Sequence, residues 1–359
     1  MNICHICNSL LGGGIQNFLL SLLPEQAKQK HHIILIVIEK YDHEYCFSLE
    51  TILVNHGVEV VCLNKKRKDK MSLLQTICTC RKLILDRHPD IVNTHGTMSH
   101  IYGAFSVKGS LIKHVATIHN APEHWRKTCK LLCKDTPLIF CSNAAFEMKT
   151  QMATMMCVIE NGISPSIVQK NAIVDLRNEL RLQAKDKIIV LVGSLRPQKN
   201  YEFLKRIVDE AQDPSLHFCI CGGNYGDGYI SPSIFNGYEK NIHLLGLRSD
   251  VSSIENGADL FLSCALYEGL PIAVLEAYFN GIPCVLSPIP QHCNIANVEK
   301  VWIPKSFEPK DFIFTIKEAL KETSNHLDIY ESRKKQIEKY SITETCLKYI
   351  QFYNEILEK

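Results

Sequence analysis

The chain has 359 residues, 46% hydrophobic and 22% charged, with a formal net charge of +2. That length exceeds what one hydrophobic core comfortably supports and suits two domains. The near-balanced charge argues against a nucleic-acid binder, and no apolar run approaches the roughly 20 residues needed to span a bilayer.

Short runs of branched apolar residues alternate with amphipathic stretches, the pattern of strands and crossover helices in a parallel sheet, so the fold class is α/β. The start, Met1 to Leu11, which holds the first run Asn2–Cys7, lacks the basic and apolar regions and the cleavage site of a secretory signal, and a cytoplasmic protein is expected. The sixteen cysteines sit mostly among apolar neighbours and read as reduced core thiols. Zinc is the alternative raised by Cys4-x-x-Cys7 and the pair Cys129 and Cys133, but no second pair follows at finger-like or ribbon-like spacing. The expectation is no metal and no cofactor.

The first run leads into Leu11-Gly12-Gly13-Gly14-Ile15-Gln16. Bare amides at a helix N-terminus would cradle an anionic group there. Close packing alone also asks for such glycines, and the spacing is not Gly-x-Gly-x-x-Gly. Further strands are expected at 33–38, 58–63, 91–94, 114–118 and 138–141. Between the third and fourth lies a basic run, Lys65, Lys66, Arg67, Lys68 and Lys70, followed by Leu73, Leu74, Ile77 and Cys78 on one apolar stripe. Such a segment could lie on an anionic membrane surface, or be a solvated loop before a core-packed helix. His119 follows the strand at 114–118 and should project from the carboxyl edge of the sheet, although a lone histidine is also a common structural residue.

Residues 161–187 are mixed and polar, and a new strand opens at 188–192. The expected division is a first domain over 1–163, a linker over 164–187, a second domain over 188–340 and a closing helix over 341–359. In the second domain strands are expected at 188–192, 217–221, 242–244, 260–262 and 283–286. Ser341-Ile342-Thr343-Glu344 has the form of a capping box.

Two stretches of the second domain carry chemistry. After the strand at 188–192 comes Gly193-Ser194-Leu195-Arg196-Pro197-Gln198-Lys199-Asn200. An arginine and a lysine three apart in a strand-end turn can neutralise a diphosphate, unless the turn is merely solvated. In Tyr267-Glu268-Gly269-Leu270-Pro271 through Glu276-Ala277, two carboxylates stand eight apart across a turn and a helix that Pro271 would open. Glu276 could accept two hydroxyl donors such as those of a ribose. No Asp-x-Asp occurs, so the usual carboxylate pair for a divalent ion is missing and fixed cations must take its place.

Together these segments resemble family 4 of the retaining glycosyltransferases (GT4), which have the GT-B fold, and the likeness runs through nearly the whole chain. It rests on Gly13 to Gln16, Glu160-Asn161-Gly162-Ile163, Val192 to Asn200, and Glu268 to Ala277, the last being the family's Glu-x7-Glu motif. It continues in Leu245 to Val251, Gly281 to Val285 and the closing helix around Tyr349 and Tyr353. The resemblance implies two facing doubly wound Rossmann-like domains, with the closing helix returning to the first.

It further implies that Arg196 and Lys199 hold the donor diphosphate, Glu276 binds the ribose, Glu268 contacts the donor sugar and His119 lies at the acceptor side. Gly13, Gly14, Gly269 and Leu270 would border the donor. Ser194 stands where many relatives carry arginine, and Ala265 replaces a common serine, so Lys199 is the firmer phosphate ligand. The implied reaction is metal-independent, retaining transfer from a nucleotide-diphosphate sugar, UDP favoured and GDP-mannose the alternative. The acceptor would be a glycan or lipid-linked sugar of a surface polysaccharide. A nucleotide-sugar epimerase and a catalytically silent partner subunit are the competing readings. The intact Glu-x7-Glu motif opposes the first, and the presence of Lys199, Glu268 and Glu276 together opposes the second.

Overall fold

A computed structural model describes residues 1–11, 14–66, 73–119, 134–147, 155–164, 174–223, 228–268, 270–322 and 324–359. They form two compact units, Met1–Gly162 with Ile342–Lys359, and Ile163–Ser341.

The first unit is built on a parallel sheet of seven described strands: β1 (Asn2–Cys7), β2 (His32–Glu39), β3 (Val58–Lys65), β4 (Ile91–His95), β5 (Lys113–Ile118), β6 (Leu138–Phe140) and β7 (Met156–Val158). Their order is β3-β2-β1-β4-β5-β6-β7. Helices cover both faces, so the strands read as unbroken apolar runs rather than alternating ones. In β2, for example, every residue from Ile33 to Ile38 is at most 1% exposed. One face carries the helices Gly14–Lys28 and Ile342–Leu357, which interlock through Phe18, Leu19, Leu22 and Leu23 against Cys346, Tyr349, Phe352 and Tyr353. Burying a side chain of this size stabilises by about 1.5–3 kcal/mol. The closing helix thus belongs to the first unit, although it follows the second in sequence.

The second unit holds β8 (Lys187–Val192), β9 (Leu216–Cys221), β10 (Ile242–Gly246), β11 (Leu260–Ser263), β12 (Cys284–Leu286) and β13 (Val301–Trp302), all parallel, in the order β10-β9-β8-β11-β12-β13. The fully buried Arg333 of helix His326–Ile337 ties this unit together. Its guanidinium donates to the carbonyls of Glu299 (2.7 Å), Ile282 (3.0 Å) and Lys300 (2.9 Å) and lies 5.1 Å from the Tyr278 ring centre.

Several expectations change. Strands β7 and β13, three and two residues long, are too short for an apolar run to announce them. Of the stretch 164–187, expected as a linker, the described residues 164 and 174–187 fall within the second unit, where Leu176 is buried in the core and Val174 N–H donates to the Ser253 carbonyl at 3.0 Å. The stripe on the helix Leu73–Arg87 is divided: Leu73 and Ile77 pack on the core beneath β1 and β2, while Leu74 (75% exposed) and Cys78 face outward. Arg67, Lys68 and Lys70 lie outside the described residues, as do Cys129 and Cys133. Cys4 and Cys7 point to opposite faces of β1, into different cores, and so cannot share an ion. Among the described residues no helix is long and apolar enough to cross a membrane, and no group of three or more His, Cys, Asp or Glu is placed to hold a metal.

Candidate functional site

In the second unit β8 and β11 lie side by side, and the sheet continues outward from them in opposite directions, through β9 and through β12. Doubly wound sheets take their ligands at the carboxyl ends of such a strand pair. Two loops meet there. Leu266 N–H donates to the Gln198 carbonyl at 2.9 Å. The Gln198 amide donates to the Tyr267 carbonyl at 2.7 Å and to Glu268 Oε2 at 3.0 Å, and Lys199 Nζ donates to Glu268 Oε1 at 2.6 Å. The Glu268 side chain is 9% exposed and that of Lys199 21%, so the pair is largely shielded from water, where a charge-assisted bond is stronger.

Glycine makes this approach possible. Gly193, at φ +155°, passes so close to Lys199 that a Cβ on it would lie 2.7 Å from Lys199 Cε. A Cβ on Gly222, at the end of β9, would sit 1.9 Å from the Gly193 carbonyl oxygen. The Tyr201 hydroxyl donates to that same carbonyl at 2.7 Å and holds the loop in place.

Arg196 goes elsewhere. It is exposed, stacks 4.6 Å from the Tyr229 ring centre and donates to the Tyr229 hydroxyl at 2.7 Å. The two cations that the sequence sets three apart are therefore engaged by different partners. Pro271 caps rather than opens the helix Ile272–Asn280, one residue later than expected. Seven of that helix's nine residues are buried, and Glu276, with Ala273 one turn before it, forms its accessible stripe. Leu270 packs on the core of the unit, and Gly269 lies outside the described residues.

Two neighbours gave no sequence signal. Glu255 is fully buried and accepts from Asn280 Nδ2; burial, reinforced by the charge of Glu276, holds its carboxyl well above the usual carboxylate range. His292 is fully buried, with Nδ1 3.1 Å from Ser287 Oγ, and burial takes its pKa down to about 4. Ser287 Oγ in turn donates to the carbonyl of buried Ala265 at 2.6 Å.

In the first unit the corresponding strand pair is β1 and β4, with β5 next. His119 stands just beyond β5 and is partly exposed. Its Nε2 lies 2.9 Å from His95 Nδ1, His95 Nε2 lies 2.9 Å from His5 Nδ1, and His5 Nε2 lies 2.9 Å from Gln26 Oε1. Phe18 packs at 5.5 Å and 60° to the His119 ring. Burial lowers the pKa of His5 to about 4 and of His119 to about 3, and lowers that of His95 strongly, so all three are neutral imidazoles near pH 7. Beside the chain, Asn93 donates to the Tyr353 hydroxyl at 2.6 Å and accepts from Thr117 at 2.9 Å. At the other edge of the site Gly14 begins the first helix, and a Cβ there would meet nothing within 4 Å, so packing does not demand the glycine. Gly13 lies outside the described residues.

Residues 12–165 match Glycosyltransferase Family 4, and residues 173–340 match Glycosyl transferases group 1. Over 248 residues the chain is 29% identical to a UDP-Gal:alpha-D-GlcNAc-diphosphoundecaprenol alpha-1,3-galactosyltransferase of Escherichia coli, spanning 60% of this chain and 62% of that one. It is 23% identical to the capsular polysaccharide biosynthesis glycosyltransferase CapH of Staphylococcus aureus, over 67% of this chain and 71% of that one. Anabaena Alr3699/HepE, solved in complex with UDP and glucose, superimposes with a TM-score of 0.80 at 16% identity, over 99% of this chain and 100% of that one. The likeness in structure identifies the GT-B fold.

Proposed function

We propose, from the premise that this chain belongs to the family 4 glycosyltransferases, that it transfers a sugar from a nucleotide-diphosphate sugar to a glycan or lipid-linked acceptor of a surface polysaccharide. The observation that carries the reading is the Lys199–Glu268 pair at the carboxyl ends of β8 and β11, with Glu276 on the accessible stripe of the next helix. As the bond to the donor breaks, negative charge grows on the leaving diphosphate and oxocarbenium character on the sugar. Lys199 answers the first, held on its loop by Glu268, which contacts the donor sugar. Glu276 accepts the ribose hydroxyls. Arg196 joins the diphosphate by swinging off Tyr229, and Gly14 leaves room for phosphate against the amides of the first helix. His119 faces a sugar hydroxyl.

Transfer with retention and without a metal is part of this proposal, supported by fixed cations where a carboxylate pair for a metal is missing from the sequence. UDP is the favoured nucleotide, supported by the UDP-galactose and UDP named for the Escherichia coli and Anabaena proteins; GDP-mannose is the alternative. The diphosphoundecaprenol named for the first of these supports a lipid-linked acceptor. Such an acceptor would be met at a membrane surface, towards which Lys65, Lys66 and outward-facing Leu74 are the contacts proposed.

The test is calorimetric titration of UDP, GDP and their sugar conjugates in the presence of a chelator, on the wild type and on Lys199→Ala and Glu276→Ala. One nucleotide is expected to bind without metal and to lose at least tenfold in affinity in both variants. Absence of binding by every nucleotide, or binding indifferent to both substitutions, refutes the assignment.

A further inference from the structure

We infer that His5 and His95 are positioning residues that hold His119 as the tautomer with its proton on Nε2, leaving Nδ1 as a bare hydrogen-bond acceptor. The inference deepens the reading above, on which it rests for the role of His119.

The argument runs along the bonds. In the placement the structure gives, Gln26 Oε1 faces His5 Nε2 across 2.9 Å while the buried Gln26 Nε2 has no hydrogen-bond partner among the described residues; a carbonyl oxygen only accepts, so in this orientation His5 Nε2 donates. A neutral imidazole has one N–H, so His5 Nδ1 accepts, and His95 Nε2 must be the donor at 2.9 Å. The same step repeats: His95 Nδ1 accepts and His119 Nε2 donates, again at 2.9 Å. One amide thus orders three rings. Gln26 and His5 are fully buried and His95 is 1% exposed, so no water competes for the inner bonds. The chain ends on an amide and not on a carboxylate, so nothing there stabilises an imidazolium. The β1–β4 register sets the spacing, since Cys7 pairs with His95 and His5 lies two residues earlier on the same face.

The chemical consequence is specific. A neutral His119 with its proton on Nε2 cannot act as a cation for a phosphate; its Nδ1 accepts a hydrogen bond from a hydroxyl, as a sugar provides. Its ring is fixed from two sides, by the bond to His95 and by Phe18.

The test begins with the wild type. Long-range proton–nitrogen spectra of histidine-labelled protein at neutral pH should show His5, His95 and His119 neutral and protonated on Nε2, with a coupling across the bond from His119 Nε2 to His95 Nδ1. A proton on Nδ1 of His119, or a cationic His119, overturns the inference. Kinetics of two variants separate positioning from packing. In His95→Asn the amide oxygen stands near the place of Nδ1 and can still accept from His119, so kcat should stay within about threefold of wild type. In His95→Phe that acceptor is gone, and kcat should fall on the order of tenfold or more with the donor KM nearly unchanged. Equal kcat in the two variants overturns the positioning role. Unchanged kcat in His119→Ala would refute the sugar-side role proposed above, and with it the kinetic half of the inference; the wild-type spectra judge the proton arrangement in either case.

Discussion

Lowering the pH from 7 to 5 should unfold the first unit well before the second. His5, His95 and His100 are each at most 1% exposed, and burial lowers the pKa of all three, that of His5 to about 4. In the unfolded chain they titrate at the ordinary value of 6.5. The unfolded state therefore binds protons first, and the stability these groups contribute is complete above pH 6.5 and lost as pH falls towards the folded values. Between pH 7 and pH 5 a histidine that stays neutral in the fold costs up to about 2 kcal/mol, so up to about 6 kcal/mol for the three. That is the scale of a whole domain's stability, about 5–15 kcal/mol. His114 and His119, also lowered by burial, act in the same direction. In the second unit His292 is taken to about 4, while His243 and His326, lowered as well, are partly exposed. Hydrogen exchange read by mass spectrometry, corrected for the intrinsic effect of pH, should show peptides of β1, β4 and β5 losing protection at pH 5 while those of β8, β9 and β11 keep theirs. Equal protection of the first unit at the two pH values refutes the reasoning.

Two further perturbations bear on the second unit. Gly193→Ala places a Cβ 2.7 Å from Lys199 Cε at a strained φ of +155°, so nucleotide affinity by calorimetry should fall as in Lys199→Ala, with a stability loss of about 1–3 kcal/mol. Arg333→Leu removes the donor of three carbonyl bonds in the core, and denaturant titration should show a loss of about 3 kcal/mol or more.

Much of the fold was legible because each strand is a contiguous run whose burial on both faces demands apolar residues at every position. β2 and β8 are such runs, and their bounds fall within a residue of those expected from sequence. β7 and β13 were not legible, since two or three residues added to a sheet edge draw their identity from the neighbouring strand. The local motifs were equally readable: a glycine turn with Lys199 after one strand, and Glu268 and Glu276 after another. Whether Arg196 and Lys199 act together was not, because that depends on Tyr229, which the sequence does not tie to them.

The sequence by itself determined the class of fold, the strand-end position of His119, Lys199 and Glu268, and the family likeness. These follow from local pattern, and local pattern is what a linear chain records. Only the tertiary structure decided which of these ends are neighbours, because the strand order sets β1 beside β4 and β8 beside β11. From that come the ion pair between Lys199 and Glu268, the buried Glu255 beside Glu276, and the chain from Gln26 to His119. His5 and His95 stand ninety residues apart in sequence and share a hydrogen bond only because two parallel strands meet at the point where the sheet reverses its winding.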